Sequence, residues 1–169
     1  MSNKRFIYLT EGECETKLID ALKVQPALVA SGKIKKINVI TEELTISQLM
    51  MFAPGSTVVL VFDTDVEKTD ILKKNIDLLK KHCERIEVLT VAEVLNFEDE
   101  IVRATDIKEA IEITKSKSIR DYKAAVNKMK AVEFRRALSR HKLDMSKLWK
   151  KTPPKAFDFI IQDGSKIKL

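Results

Sequence analysis

Residues 56–65, STVVLVFDTD, carry the strongest structural signal in the chain. Val58, Val59, Leu60, Val61 and Phe62 are continuously apolar and mostly β-branched, without the polar alternation of a strand that has one face in water. Such a run is expected inside a parallel sheet whose two faces are both covered by helices. It ends on Asp63-Thr64-Asp65, which places two carboxylates at the carboxyl end of the strand.

The flanking segments fit the same scheme. Residues 5–10 (RFIYLT) read as a buried strand stopped by Glu11-Gly12-Glu13. From Glu15 onward, Leu18, Ile19, Leu22, Leu28 and Val29 follow helical spacing, with Pro26 as a kink or boundary and Gly32 as a stop. Residues 36–41 (KINVIT) are a second strand candidate, and residues 45–52 a short helix ended by Ala53-Pro54-Gly55. Residues 69–83 place Ile71, Leu72, Ile76, Leu78 and Leu79 between lysines, the pattern of an amphipathic helix, and residues 85–91 (RIEVLTV) read as a fourth strand. Strand alternating with helix predicts an α/β fold, a doubly wound parallel sheet of about four strands flanked by helices. Beyond Asn96 the pattern turns helical, over 107–113, 119–138 and near 145–149, and Thr152-Pro153-Pro154 breaks it. In residues 156–169, Asp163-Gly164 between two apolar runs is a hairpin signal.

The chain of 169 residues, 44% hydrophobic with only 4 Gly and 4 Pro, suffices for one well-buried core. It has no run of about 18 apolar residues, and its amino terminus lacks the apolar run of a signal peptide, so a cytoplasmic protein without membrane association is expected. Cys14 and Cys83 have no CxxC spacing and read as inert structural thiols. The net charge of +6 is unevenly spread. Residues 1–104 hold 14 Lys and Arg against 17 Asp and Glu, and residues 105–169 hold 17 against 8. This division predicts an acidic α/β domain over 1–104, suited to collecting metal, and a basic, mainly helical extension over 105–169 able to bind a polyanion. A solvated lysine-rich surface is the plainer reading of the same tail.

Function in open parallel sheets gathers outside the carboxyl ends of the strands, where strand order reverses. Two strand ends carry acids, Glu11-Gly12-Glu13 and Asp63-Thr64-Asp65. Paired carboxylates repel unless a cation sits between them, and oxygen-only ligands suit Mg2+ or Mn2+. As ordinary loop and N-cap residues the same acids would need no metal.

A strand followed by Glu11-Gly12-x-x-Glu15, then an apolar strand ending Phe62-Asp63-Thr64-Asp65, resembles the Toprim domain of topoisomerases, bacterial primases, OLD-family nucleases and small ribosomal-RNA-maturing nucleases. The resemblance covers about the first 95 residues and extends to small stand-alone proteins of the OLD and RloB type. It implies a Toprim-like, Rossmann-like fold with Glu11 as general acid/base or metal ligand and Asp63 and Asp65 as magnesium ligands. It also implies cleavage of phosphodiester bonds in DNA or RNA. Gly12 is expected to let the backbone turn tightly beneath a phosphate. In Asn96-Phe97-Glu98-Asp99-Glu100, Glu98 and Glu100 either serve a second metal or are first-turn acids of a helix.

In the tail, Arg120, Lys123, Arg135, Arg136 and Arg140 are candidate nucleic-acid contacts, with Tyr122, Phe134 and Trp149 either stacking on bases or packed in the core. A receiver-type phosphoacceptor would use Thr90 and Lys108, but lacks a reason for Asp65 or the basic tail. A haloacid-dehalogenase-like phosphatase would want Thr or Val where Glu67 stands. The alternative from another class is a Toprim-like protein that binds nucleic acid or a partner protein without catalysis, and a protein partner or a second copy of the chain stays open.

Overall fold

Strand β3 (Ser56–Asp63) is buried along all but its last residue, with Val59 and Val61 on one face of the sheet and Val58, Leu60 and Phe62 on the other. It sits inside a sheet completed by β1 (Arg5–Thr10), β2 (Gly32–Lys36) and β4 (Glu87–Glu93). All pairings are parallel, in the order β2-β1-β3-β4. The computed structural model describes residues 5–83 and 85–169, so the reading of residues 1–4 lies outside the described residues. No helix among the described residues is long and apolar enough to cross a membrane.

The two faces are covered by different parts of the chain. α1 (Glu13–Lys23) buries Leu18, Ile19 and Leu22 against Tyr8, Val59, Val61, Leu89 and Val91. α4 (Phe97–Ala104), α5 (Ile119–Lys128) and α6 (Ala131–Arg140) add Phe97, Ile101, Tyr122, Val126, Phe134 and Leu138 to the same cluster. Residues on both sides of position 104 therefore share one apolar core. On the opposite face lie α2 (Ile46–Leu49), α3 (Asp70–His82) and Phe157, packed on Ile7, Leu9, Val58, Leu60 and Phe62.

Several sequence expectations need correction, among them the helices over 107–113, where only a 3-10 turn at Ala110–Ile113 forms, and near 145–149, which is a series of turns. The second strand is Gly32–Lys36 rather than 36–41. Asn38 turns the chain by accepting from the N–H groups of Ile40 and Thr41, and buried Asn75 holds the following loop through Val39 O, Glu42 O and Leu44 N–H. Ile37, Val39 and Ile40 are thus buried as loop residues. The helix read over 119–138 is two, because Met129 takes an extended conformation between α5 and α6 (φ −65°, ψ 145°).

The terminal hairpin is also absent among the described residues. Asp163 precedes a short helix, α7 (Gly164–Ile167), and the residues before it line the open edge of β4. The Gln162 side-chain amide accepts from Ala92 N–H at 3.0 Å and donates to Ala92 O at 2.8 Å, standing in for a neighbouring strand. Asp163 donates its own N–H to Thr90 O and accepts the Thr90 N–H on Oδ2 at 3.0 Å. The segment is used to satisfy the sheet edge, which leaves no backbone to pair with itself.

Replacing Asp163 by Ala strands the buried Thr90 N–H. We expect a loss of about 1–3 kcal/mol in urea unfolding with an unchanged m-value, as the cost of one unpaired buried donor.

Candidate metal centre

The register of the sheet sets Asp63 directly beside Glu93 on the neighbouring strand. Strand side chains alternate, so both share the face of Val59, Val61, Leu89 and Val91, which is the face covered by α1. Glu15, in the first turn of α1, reaches the same point. One carboxylate oxygen from each of Glu15, Asp63 and Glu93 lies within 4.8 Å of the other two. Oxygens bound to a single ion at about 2.0–2.6 Å can lie no more than about 4–5 Å apart, so the spacing fits one hard divalent cation.

Burial makes this arrangement costly without a counter-charge. Glu93 is fully buried; its Oε1 accepts the Trp149 indole N–H at 3.3 Å. Its Oε2 and the buried Asp63 Oδ1 have no hydrogen-bond partner. Burial, then the charges of Glu15 and Glu11, pushes the Asp63 carboxyl from 3.8 up to about 8, with contact to Glu93 pulling the other way. Burial raises Glu93 well above the usual carboxylate range, and Glu15 and Asp63 add to it. Burial also raises Glu15 against the pull of its own backbone N–H, with Glu11 adding repulsion. A divalent cation would supply the missing partner for both orphaned oxygens, and the donor set, carboxylates only, fits Mg2+ or Mn2+.

A cavity of about 370 Å³ opens here, lined by Glu11, Glu15, Asn38, Asp63, Lys123 and Asn127 among others. It lies at the carboxyl ends of β1 and β3, the neighbouring strands between which the strand order reverses, the switch point of the sheet. Glu11 lines it without joining the three-carboxylate group: its Oε1 accepts from Asn38 Nδ2 and its Oε2 from the Asp63 N–H, each at 3.1 Å. Gly12 is extended (φ −143°, ψ −169°), so the tight turn expected of it is absent. Its missing side chain matters differently, since a Cβ there would lie 2.9 Å from Glu15 Oε2. The Cys14 thiol also lines the cavity, but burial pushes it up to about 12, which keeps it a poor nucleophile.

The remaining candidates separate clearly. Asp65 is exposed and lies outside both the group and the cavity lining. Glu98 pairs with Lys123 at 3.2 Å. Glu100 is fully buried, ion-paired with Arg103 and accepting the Trp149 backbone N–H. Lys123 and Asn127 bring the extension to the cavity, and Arg120 continues their stripe along α5. Burial opposes the charge on Lys123, but Glu98 outweighs it and raises the ammonium above its ordinary value. Arg136 and Arg140 are exposed on α6 and Arg135 is half-buried. Tyr122, Phe134 and Trp149 are all buried, so none is available to stack on a base. Thr90 is buried inside β4 with its hydroxyl donated to Ile161 O, so it does not stand at a strand end as the threonine of a receiver would.

Sequence reading missed Glu93 and gave Glu15 no role. The strand containing Glu93 was expected to end at Val91, two residues short, although the rule that singled out Asp63, an acid closing an apolar strand, applies equally to Glu93.

No protein-family model matches the sequence, and no curated protein does. The chain is similar in structure to the TIR domains of the activated Roq1 resistosome directly recognizing the pathogen effector XopQ, at 18% identity over 81% of this chain and 82% of that one, with a TM-score of 0.34. A likeness this distant carries nothing about function.

The raised carboxyls predict how stability depends on pH. Asp63 holds its proton more tightly folded than unfolded, so its contribution is full below 3.8 and is lost as pH rises through about 8. In chelator the melting temperature should fall between about pH 4 and about pH 8, and Asp63→Asn should flatten that fall. Added Mn2+ should raise the melting temperature more at the alkaline end, where protons no longer compete for the ligands. A second measurement isolates the space at Gly12: Gly12→Ala should leave metal-free stability nearly unchanged while weakening Mn2+ binding measured by calorimetry, because the added methyl displaces the flexible end of Glu15.

Proposed function

We propose that the protein binds Mg2+ or Mn2+ through Glu15, Asp63 and Glu93 and hydrolyses phosphodiester bonds of nucleic acid at the cavity beside them. The observation that carries this reading is the pair of buried, unpartnered oxygens, Asp63 Oδ1 and Glu93 Oε2, in a three-carboxylate group at the sheet's switch point. When bound, such an ion polarises a phosphate oxygen and lowers the pKa of water.

The surrounding residues suit a phosphate substrate. Lys123 presents an ammonium at the cavity, with Asn127 one helical turn on and Arg120 along the same face. The excess of 17 Lys and Arg over 8 Asp and Glu in residues 105–169 favours a polyanion over a small neutral ligand. Glu11 accepts one hydrogen bond on each oxygen, which leaves lone pairs on a carboxylate facing the cavity. It is the proton acceptor in this reading, held in place by Asn38 and the backbone of Asp63. The ligand set differs from the one the Toprim resemblance implies, with Glu15 and Glu93 in place of Glu11 and Asp65.

Labelled single-stranded, double-stranded and structured DNA and RNA, incubated with Mg2+, Mn2+ or chelator, test the proposal. Wild type should cleave at least one substrate only with metal, and Asp63→Asn should lower the rate by about 100-fold or more while the protein stays folded. Glu11→Gln should reduce turnover far more than affinity. Binding should weaken steeply with salt, each phosphate contact adding roughly 0.7 to 0.9 to the log–log slope. Salt-dependent binding with no cleavage of any substrate would replace the hydrolytic reading by one of metal-assisted binding alone.

A further inference from the structure

We propose that Trp149 is a positioning residue for the carboxylate centre, its indole N–H holding Glu93 Oε1 so that Oε2 is left for the cation. The inference rests on the metal-binding reading above and extends it, because it makes the carboxyl-terminal extension part of the site.

Trp149 is the only tryptophan in the chain and is 1% exposed. A buried indole ordinarily finds an acceptor for its N–H, and a backbone carbonyl would serve. Here the acceptor is a fully buried carboxylate whose other oxygen has no partner. The indole is the one hydrogen-bond donor to the Glu93 side chain among the described residues. A donor fixed behind a ligand in this way sets its orientation and tunes its basicity, as the groups behind metal ligands generally do.

The backbone of Trp149 is held as firmly as its ring. Its φ of 52° lies in the left-handed region, which a residue with a bulky side chain adopts only when its surroundings impose it. Two contacts impose it. The Trp149 N–H donates to Glu100 Oε1, and the other Glu100 oxygen is paired with Arg103, which also donates to Val94 O next to Glu93. On the other side, Gly164 packs so closely that a Cβ there would lie 2.6 Å from Trp149 Cβ and 2.7 Å from Trp149 O. Glu100 thus acts one step further back than a metal ligand, by seating the residue that orients Glu93.

Mn2+ affinity of the full chain, measured by calorimetry and by the paramagnetic resonance of free ion, tests this with wild type, Trp149→Phe, and protein carrying 3-benzothienylalanine at position 149. That analogue keeps the ring's shape and replaces the N–H by sulfur. Loss of the N–H should weaken Mn2+ binding about 10- to 100-fold with little change in metal-free melting. Mn2+ should also quench the fluorescence of Trp149 in wild type. If Trp149→Phe does not fold, the benzothienyl protein decides. Equal affinity of wild type and the folded benzothienyl protein would overturn the positioning role while leaving the metal site standing. Absence of Mn2+ binding by wild type would overturn the metal reading, and this inference with it.

Discussion

Two glutamates with the same burial define what this structure is organised around. Glu93 and Glu100 are both completely removed from solvent. Glu100 is satisfied by Arg103 and by a backbone N–H, the usual terms on which a carboxylate enters a protein interior. Glu93 has one oxygen satisfied by an indole and its Oε2 unpartnered, beside the unpartnered Oδ1 of a half-buried Asp63. Because repulsion and desolvation both oppose ionisation, the group holds protons more tightly than free carboxyls do, and a cation would compete with those protons. The sheet register, the glycine before α1 and the tryptophan of the extension all serve the same arrangement.

The extension is correspondingly more than a basic appendage. α5 and α6 bury Tyr122, Val126, Phe134 and Leu138 against α1, which itself carries Glu15. Lys123 reaches the cavity from the exposed side of α5, and Trp149 reaches Glu93 within the buried interior. The last residues then close the open edge of β4 through Gln162 and Asp163, which removes a row of unpaired backbone groups that would otherwise invite another strand. One stretch of chain thus supplies core, site and edge protection together. A change in its packing is expected to act on the site through Glu15 and Glu93 even where it touches neither.

Much of the fold was legible in the residues. The unbroken apolarity of 58–62 announced a central strand covered on both sides, and the alternation of strands with amphipathic helices announced a parallel α/β sheet. Acids closing the first and third strands marked the end of the sheet where the cavity lies. These signals are local: each depends on period, branching or charge within a few neighbours, and those are properties a sequence carries openly.

The membership of the site was not local. Which of Glu11, Glu15, Asp63, Asp65, Glu93, Glu98 and Glu100 converge depends on the side-chain alternation of two strands, the register that sets Asp63 beside Glu93, and the rotation of α1 that brings in Glu15 rather than Glu13. Strand alternation would put Asp65 on the face of Asp63, but β3 ends at Asp63, and Asp65, past that end, is exposed to solvent. Trp149 meets Glu93 across 56 positions of chain, a distance at which spacing says nothing about contact. The sequence by itself determined the sheet, its two covered faces and the acidic end; only the tertiary structure decided which carboxylates share one point, because that depends on where separately formed elements are brought to rest against each other.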